Sequence, residues 1–292
     1  MHFITFIESD RQRVGVLDQR RREVVDLTHA SAGLTHDMLA LIARGEDGLV
    51  AAKAALTGGT TRFPVDQVRL LAPIPRPRRN IFCVGKNYRD HLSEVQSLSA
   101  GDEPERDVPI FFTKATSTVI GPGEPIPAWL DPTHSVDYEG ELALVIGTGG
   151  RGIQRGTALD HVYGFTIIND VTSRRLQKTH QQWFLGKSLD GFCPMGPALV
   201  TRDAIADIAA LRMRTYVNWE LRQDGCAGDM IFDIPTLIET LSRTITLEAG
   251  DIIATGTPAG VGMGFSPPRY LHEGDRVSVT IEPIGTLENP VA

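Results

Sequence analysis

The sequence predicts an α+β protein that is mainly β, with a small N-terminal unit ahead of a larger C-terminal region. Short runs that alternate apolar and polar residues recur along the chain and are typical of half-buried strands. Helical spacing is confined to a few segments. A proline-rich stretch at residues 72–79 separates the two parts, because proline joins neither a strand ladder nor a helix interior.

The N-terminal unit spans residues 1–70, and the C-terminal domain spans residues 71–292. Three short strands are predicted at residues 2–7, 13–17 and 23–27, followed by a helix at residues 37–55 that a glycine pair ends. No residue of this unit suggests chemistry. We therefore expect it to serve in packing or dimerisation.

Composition restricts the classes of function. The chain has 292 residues and a formal net charge of -7, which argues against nucleic acid or an anionic membrane as a partner. Its three cysteines show no CxxC spacing, as expected for a reducing cytoplasm. No apolar run is long enough to span a bilayer, and the start of the chain does not match a signal peptide.

An acidic stretch at residues 137–147 becomes an apolar run that is typical of a strand. Alternate side chains of a strand share a face, so Asp137, Glu139 and Glu141 are predicted to point the same way. Burying these carboxylates is costly without a positive partner, and a hard divalent cation is one such partner. A solvated edge strand is the alternative.

His91 and Glu94 are three residues apart and share a face if their segment is helical. A carboxylate bonded to an imidazole fixes its tautomer and raises its basicity, which suits a general base. The alternative is an ordinary surface pair. The polar segment at residues 96–108 is predicted to be a mobile loop and is a candidate lid.

Further polar groups follow apolar runs. Asp170 ends a predicted strand, and a helix at residues 171–177 would align it with Arg174 and Gln177. Lys187 lies between a glycine and a mostly apolar run. A buried strand opens into a glycine-rich loop at residues 255–262, where backbone N–H groups can approach an anion. Solvated side chains and a simple tight turn are the alternatives.

The segment at residues 147–152 matches GxGxxG after a strand, which is a feature of dinucleotide-binding folds. The following stretch is too short and too poorly patterned for a crossover helix. Acidic residues are also unusual in a strand that is buried on both faces. A hairpin-like connection is therefore favoured over a nucleotide site.

Taken together, the order and spacing of five motifs resemble the fumarylacetoacetate hydrolase family. The likeness covers the chain from about residue 70 to its C-terminus. The motifs are GKNY at 85–88 with His91 and Glu94, DYEGEL at 137–142, INDVTSR at 168–174, GKSLD at 186–190 and TGTPAGVG at 255–262.

This resemblance implies a mixed β-sandwich roll, usually assembled as a homodimer. It implies a Mg²⁺ ion, or Mn²⁺ or Ca²⁺, held by Glu139, Glu141 and Asp170. The implied catalytic residues are His91, Glu94 and Lys187. The implied substrate-binding residues are Arg174, Gln177, Thr257 and Tyr88.

The expected activity is hydrolysis of a carbon–carbon bond in a 2,4-diketo acid of the acylpyruvate or fumarylpyruvate type. His91, oriented by Glu94, would activate the attacking water, with Lys187, Arg174 and Gln177 as candidate oxyanion donors. The family also includes oxaloacetate decarboxylases and 2-hydroxyhepta-2,4-diene-1,7-dioate isomerases. A catalytically inactive, metal-stabilised protein is a hypothesis from another class.

Overall fold

The computed structural model describes residues 1–28, 37–58, 61–97 and 107–292. Its N-terminal part contains five strands and two helices. These are β1 (His2–Glu8), β2 (Arg11–Asp18), β3 (Glu23–Asp26), α1 (Met38–Ala43), α2 (Gly45–Thr57), β4 (Arg62–Pro64) and β5 (Arg69–Leu71). The predicted helix at residues 37–55 is thus two helices, which meet where Gly45 adopts a positive φ of 54°.

The remaining chain begins with β6 and ends with β18, and strands predominate. Its first elements are β6 (Ile81–Gly85), α3 (Arg89–Ser97), β7 (Ile110–Lys114), β8 (Val119–Ile120), β9 (Val136–Asp137), β10 (Gly140–Ile146), β11 (Val162–Asn169) and β12 (Thr172–Ser173). Its later elements are α4 (Arg174–Thr179), α5 (Phe184–Lys187), β13 (Cys193–Thr201), β14 (Arg212–Val217), β15 (Glu220–Cys226), α6 (Ile234–Ser242), β16 (Ile252–Ala254), β17 (Arg276–Ile281) and β18 (Gly285–Pro290).

One large sheet runs through both parts of the chain in the order β4-β3-β2-β1-β13-β11-β10-β16-β6-β7, with β5 on β1 and β8 on β13. A four-stranded sheet, β15-β14-β17-β18, and the short pair β12-β9 complete the strands. Because β1 pairs with β13, the N-terminal strands extend the main sheet. The division at residue 70 remains a prediction about independent folding.

Strand β10 lies at the centre of the molecule and is buried on both faces. Leu142 and Leu144 pack in one cluster with Met213 and Val279 of the four-stranded sheet. Ala143 and Val145 point to the opposite face of the strand and pack in a second cluster, which includes residues of helix α1. This two-sided burial explains the continuous apolar run of the strand.

Two local predictions need correction. The acidic stretch is two strands, because the pairing breaks at Tyr138 and Glu139 between β9 and β10. The helix predicted from residue 171 begins at Arg174, since β12 pairs with β9 just before it. Strand β15 follows a turn at Asn218 and Trp219, both of which have positive φ.

The glycine-rich segment at residues 147–152 connects two antiparallel neighbours. Strands β10 and β11 pair from Gly140 opposite Asn169 to Ile146 opposite Val162. A dinucleotide-binding unit needs parallel strands and a crossover helix. The structure therefore agrees with the hairpin-like connection.

The segment at residues 96–108, predicted to be a mobile loop, lies largely outside the described residues. No helix in the described ranges is both long and apolar enough to cross a membrane.

Candidate active site

Three carboxylates converge where β10 begins and β11 ends. The antiparallel register places Glu139 and Glu141 beside Asp170, and the Asp170 N–H donates to the Glu139 carbonyl at 2.8 Å. One carboxylate oxygen from each residue lies within 4.8 Å of the others. All three side chains are buried. The structure thus brings together the residues predicted to bind a metal.

Two buried cations predicted from the sequence face these acids. Lys187 Nζ lies 2.6 Å from Glu139 Oε2 and 2.7 Å from Asp170 Oδ2. Arg174 Nη1 lies 2.6 Å from Glu139 Oε1. Burial alone would raise the pKa of Glu139, but Lys187 and Arg174 hold that pKa below its ordinary value. Glu139 is therefore ionised at neutral pH.

A third cation, Lys114, was missed in the sequence. Its Nζ lies 2.7 Å from Asp170 Oδ1 and donates to the Val171 carbonyl at 3.0 Å, and the side chain is fully buried. The signal was a lysine ending the apolar strand β7, which reads IFFTK. A lysine is usually solvated, so this position alone did not reveal the partner.

Glu141 differs from the other two acids, because the described residues place no cation within ion-pair distance of it. Its Oε2 accepts the Gly256 N–H at 2.8 Å. Burial raises the pKa of Glu141 well above its ordinary value, and the charges of Asp170 and Glu139 add to that effect.

This donor set fits a hard divalent cation. Clustered carboxylate oxygens are the ligands that such ions prefer, and Glu141 is a buried acid with no ion-pair partner among the described residues. Counting Asp137, the site holds four buried acids against the three buried cations. A bound cation would supply the missing positive charge.

His91 and Glu94 lie on helix α3 and form the predicted pair. His91 Nδ1 is 3.0 Å from Glu94 Oε2, and the other carboxylate oxygen accepts the Gly260 N–H at 3.0 Å. Glu94 is therefore held from two sides. If Nδ1 carries the proton, the opposite nitrogen of His91 is the basic one.

The glycine-rich loop is fixed by the acidic motif. Asp137 accepts the N–H groups of Gly262 at 2.7 Å and Met263 at 3.0 Å, and the Arg174 Nε–H at 2.8 Å. The Tyr138 hydroxyl donates to the Gly260 carbonyl at 2.9 Å. Asp137 thus organises the loop rather than joining the cluster of metal-type ligands.

A cavity of about 480 Å³ opens onto these residues. The predicted site residues in its wall are His91, Glu139, Glu141, Arg174, Gln177, Lys187 and Thr257. The Thr257 hydroxyl donates to the Gly140 carbonyl at 2.8 Å and accepts a hydrogen bond from the Gln223 side-chain amide at 2.7 Å.

Three predicted residues lie behind the cavity wall. Asp170 lies behind Lys187, and Glu94 lies behind His91. Tyr88 is buried, and its backbone forms an isolated β-bridge with Met230. Its role in substrate binding remains a prediction without support from this geometry.

An aromatic wall closes one side of the cavity. Trp183 and Phe112 both line it and meet edge to face, with ring centroids 5.3 Å apart. Lys187 Nζ lies 5.1 Å from the Phe112 ring centre. The Trp183 ring also packs so closely on Gly85 that a Cβ at Gly85 would lie 2.8 Å from Trp183 Cη2. This wall shields the buried charges from water.

The fold and the site define the class of protein. The sequence profile described as fumarylacetoacetate (FAA) hydrolase C-terminal matches residues 80–292, and the chain belongs to this family. Both the resemblance stated from the motifs and the mainly β, α+β fold are confirmed.

Relatives within the family carry different activities in their names. The chain is 54% identical over 233 residues to oxaloacetate tautomerase YisK of Bacillus subtilis (strain 168), covering 80% of this chain and 76% of that protein. It is 46% identical to the structure of fumarylacetoacetate hydrolase (EaFAH) from psychrophilic Exiguobacterium antarcticum, with a TM-score of 0.84 and coverage of 100% and 99%. Maleylpyruvate hydrolase from Sphingobium sp. SYK-6, solved with manganese (II) ion and pyruvate, is 35% identical, with a TM-score of 0.80 and the same coverage.

Proposed function

We propose that this protein interconverts the keto and enol forms of a small 2-oxo acid in a reaction that depends on a divalent metal, with oxaloacetate as the leading substrate. The observation that carries this proposal is the His91–Glu94 pair, which faces a cavity walled by Glu139 and Glu141. The similarity to oxaloacetate tautomerase YisK supports this choice of reaction.

Glu139, Glu141 and Asp170 would hold the metal, and their oxygen donors suit Mg²⁺ or Mn²⁺, with Ca²⁺ as a further possibility. When bound, the ion supplies Lewis-acid polarisation of the 2-oxo group, which acidifies the neighbouring carbon. These three acids would bind the metal, whereas a different residue moves the proton.

His91 is the proton carrier of the proposed reaction. Its Nε2 takes a proton from the carbon next to the oxo group, which leaves an enolate, and the protonated imidazole then gives that proton to the enolate oxygen; the reverse reaction moves the proton from oxygen back to carbon. Glu94 holds the imidazole in the required tautomer through Nδ1. Because His91 carries the same proton between carbon and oxygen in both directions, the proposed reaction needs no second acid.

The buried cations serve a different purpose. Lys187 and Arg174 are each paired with two carboxylates, so they balance the charge of the site and orient Glu139. Trp183 and Phe112 exclude water, which favours proton transfer over hydrolysis. An enzyme with these groups is suited to forming and quenching an enol.

Carbon–carbon bond hydrolysis is the second candidate. The 46% identity to EaFAH and the similarity to maleylpyruvate hydrolase favour it. Against it, the cations expected as oxyanion donors, Lys187 and Arg174, already bind carboxylates. The decarboxylation and isomerisation predicted as alternatives would use the same groups.

One set of assays separates these reactions. Purified protein is loaded with Mg²⁺ or Mn²⁺ and mixed with freshly dissolved enol-oxaloacetate, and the ultraviolet absorbance of the enol is followed. Carbon dioxide release and acylpyruvate cleavage are measured in parallel. We expect metal-dependent loss of enol that is faster than either other reaction. Acylpyruvate cleavage without any acceleration of tautomerisation would overturn the proposal in favour of the hydrolase.

A further inference from the structure

The mouth of the cavity carries positive charge that the buried site does not use. Arg175 and Lys178 both line the cavity and are exposed to solvent. They are three residues apart on α4, so they lie on one face of that helix. This pair differs from the buried cations, each of which contacts a carboxylate.

Neither residue has an acidic partner among the side chains that the structure describes. Arg175 Nη1 donates to the Thr133 carbonyl at 3.1 Å, a neutral contact that holds the guanidinium in place. Its backbone N–H donates to Ser135 Oγ at 3.0 Å. The carboxylates in the cavity wall, Glu139 and Glu141, lie at its buried end. The cavity is therefore acidic at its base and basic at its mouth.

We propose that Arg175 and Lys178 form a subsite for a second carboxylate of the substrate, which makes the protein selective for 2-oxo dicarboxylates. This inference rests on the proposed function, since it takes the 2-oxo acid group to bind at the acidic base. Arg174 contacts Glu139 at the buried end, and Arg175 is the next residue of α4. The same helix therefore supplies side chains to both ends of the cavity. The proposed substrate is a dianion that places one carboxylate at each end of the cavity.

The charges support a dianion rather than a monoanion. A monocarboxylate would place an apolar end beside two exposed cations and gain nothing from them. A guanidinium offers paired donors to a carboxylate, and an ammonium adds a point charge. Because both groups are exposed, water screens the interaction, and we expect an effect of about tenfold in affinity rather than a thousandfold.

The test removes both charges and compares two ligands that differ by one carboxylate. The Arg175→Met/Lys178→Met variant and wild type are loaded with Mn²⁺. Their kinetics are measured with oxaloacetate, and their affinity for pyruvate is measured by calorimetry. The control is Lys53→Met/Arg151→Met, which removes the same charge from exposed positions outside the cavity wall.

We expect KM for oxaloacetate to rise about tenfold in the Arg175→Met/Lys178→Met variant, with a smaller change in kcat and in pyruvate affinity. The control should keep the wild-type KM. An unchanged ratio of oxaloacetate to pyruvate affinity in the variant would overturn the subsite.

Failure of the subsite and failure of the proposed function are distinguishable. If wild type does not turn over oxaloacetate, calorimetry of the Mn²⁺-loaded proteins decides the question. Tighter binding of oxaloacetate than pyruvate by wild type, lost in the variant, supports the subsite without the tautomerase. The absence of any such preference in wild type overturns it.

Discussion

Gly264 packs against Glu94, the hydrogen-bond partner of the proposed base His91, and replacing Gly264 with alanine perturbs this pair without changing any charge. A Cβ at Gly264 would lie 2.8 Å from Glu94 Cγ and closer still to the carboxylate, whereas ordinary contact begins at 3.4 Å. The Glu94 carboxylate must therefore retreat by roughly 1 Å, which breaks its hydrogen bond from Gly260 and misaligns His91. Misplacement of that size costs about 10²-fold in rate.

The assay is kcat for the tautomerisation of oxaloacetate, measured together with thermal unfolding. Glu94 is a flexible side chain that can move aside, so we expect Gly264→Ala to unfold near the wild-type temperature while kcat falls about 10²-fold. Gly156→Ala is the matched control, because a Cβ there meets nothing within 4 Å. It should leave both quantities unchanged.

A double variant tests the cause of the loss. With the Glu94 side chain truncated to alanine, the added methyl at Gly264 has room, so Gly264→Ala should cost nothing further in that background. Wild-type kcat in a folded Gly264→Ala protein would refute the reasoning. Additive losses in the double variant would show that the methyl acts elsewhere.

Four further substitutions test other parts of the site and fold. His91→Ala should abolish turnover yet keep the affinity for Mn²⁺, whereas Glu141→Ala should lose both. Calorimetry with Mn²⁺ measures the affinity. Normal turnover by the His91→Ala variant would exclude His91 as the base. Gly85→Ala should displace the Trp183 ring and raise KM with a change in tryptophan fluorescence; unchanged fluorescence contradicts the packing. Asp233 caps α6, and its hydrogen bonds hold its pKa below 3.8 although burial alone would raise it. Asp233→Ala should therefore lower the free energy of unfolding by ~1 kcal/mol at neutral pH. Because the folded pKa is lowered, that difference should shrink as denaturation is measured at pH values falling below 3.8; a constant difference contradicts it.

Much of the site was predictable because its parts are local in sequence. His91 and Glu94 lie one helical turn apart, and Glu139 and Glu141 lie two apart at the start of β10, so spacing alone placed each pair on a common side. The three short N-terminal strands were likewise marked by alternation of apolar and polar residues.

The remaining features depend on contacts between distant segments. Lys114 meets Asp170 across 56 positions, and no local pattern marks that pairing. Asp137 does not share a face with Glu139 and Glu141, because the backbone pairing breaks at Tyr138. The Tyr138 hydroxyl binds the glycine-rich loop instead. Tertiary pairing likewise made residues 172–173 a strand instead of the first turn of a helix.

The central claim is that a metal held by Glu139, Glu141 and Asp170 works with His91 to enolise a 2-oxo acid. The most direct measurement is the stopped-flow rate of oxaloacetate tautomerisation by metal-free and Mn²⁺-loaded wild type, with His91→Ala under the same conditions. We predict acceleration only in Mn²⁺-loaded wild type. An equal rate in metal-free wild type, or in Mn²⁺-loaded His91→Ala, would contradict the account.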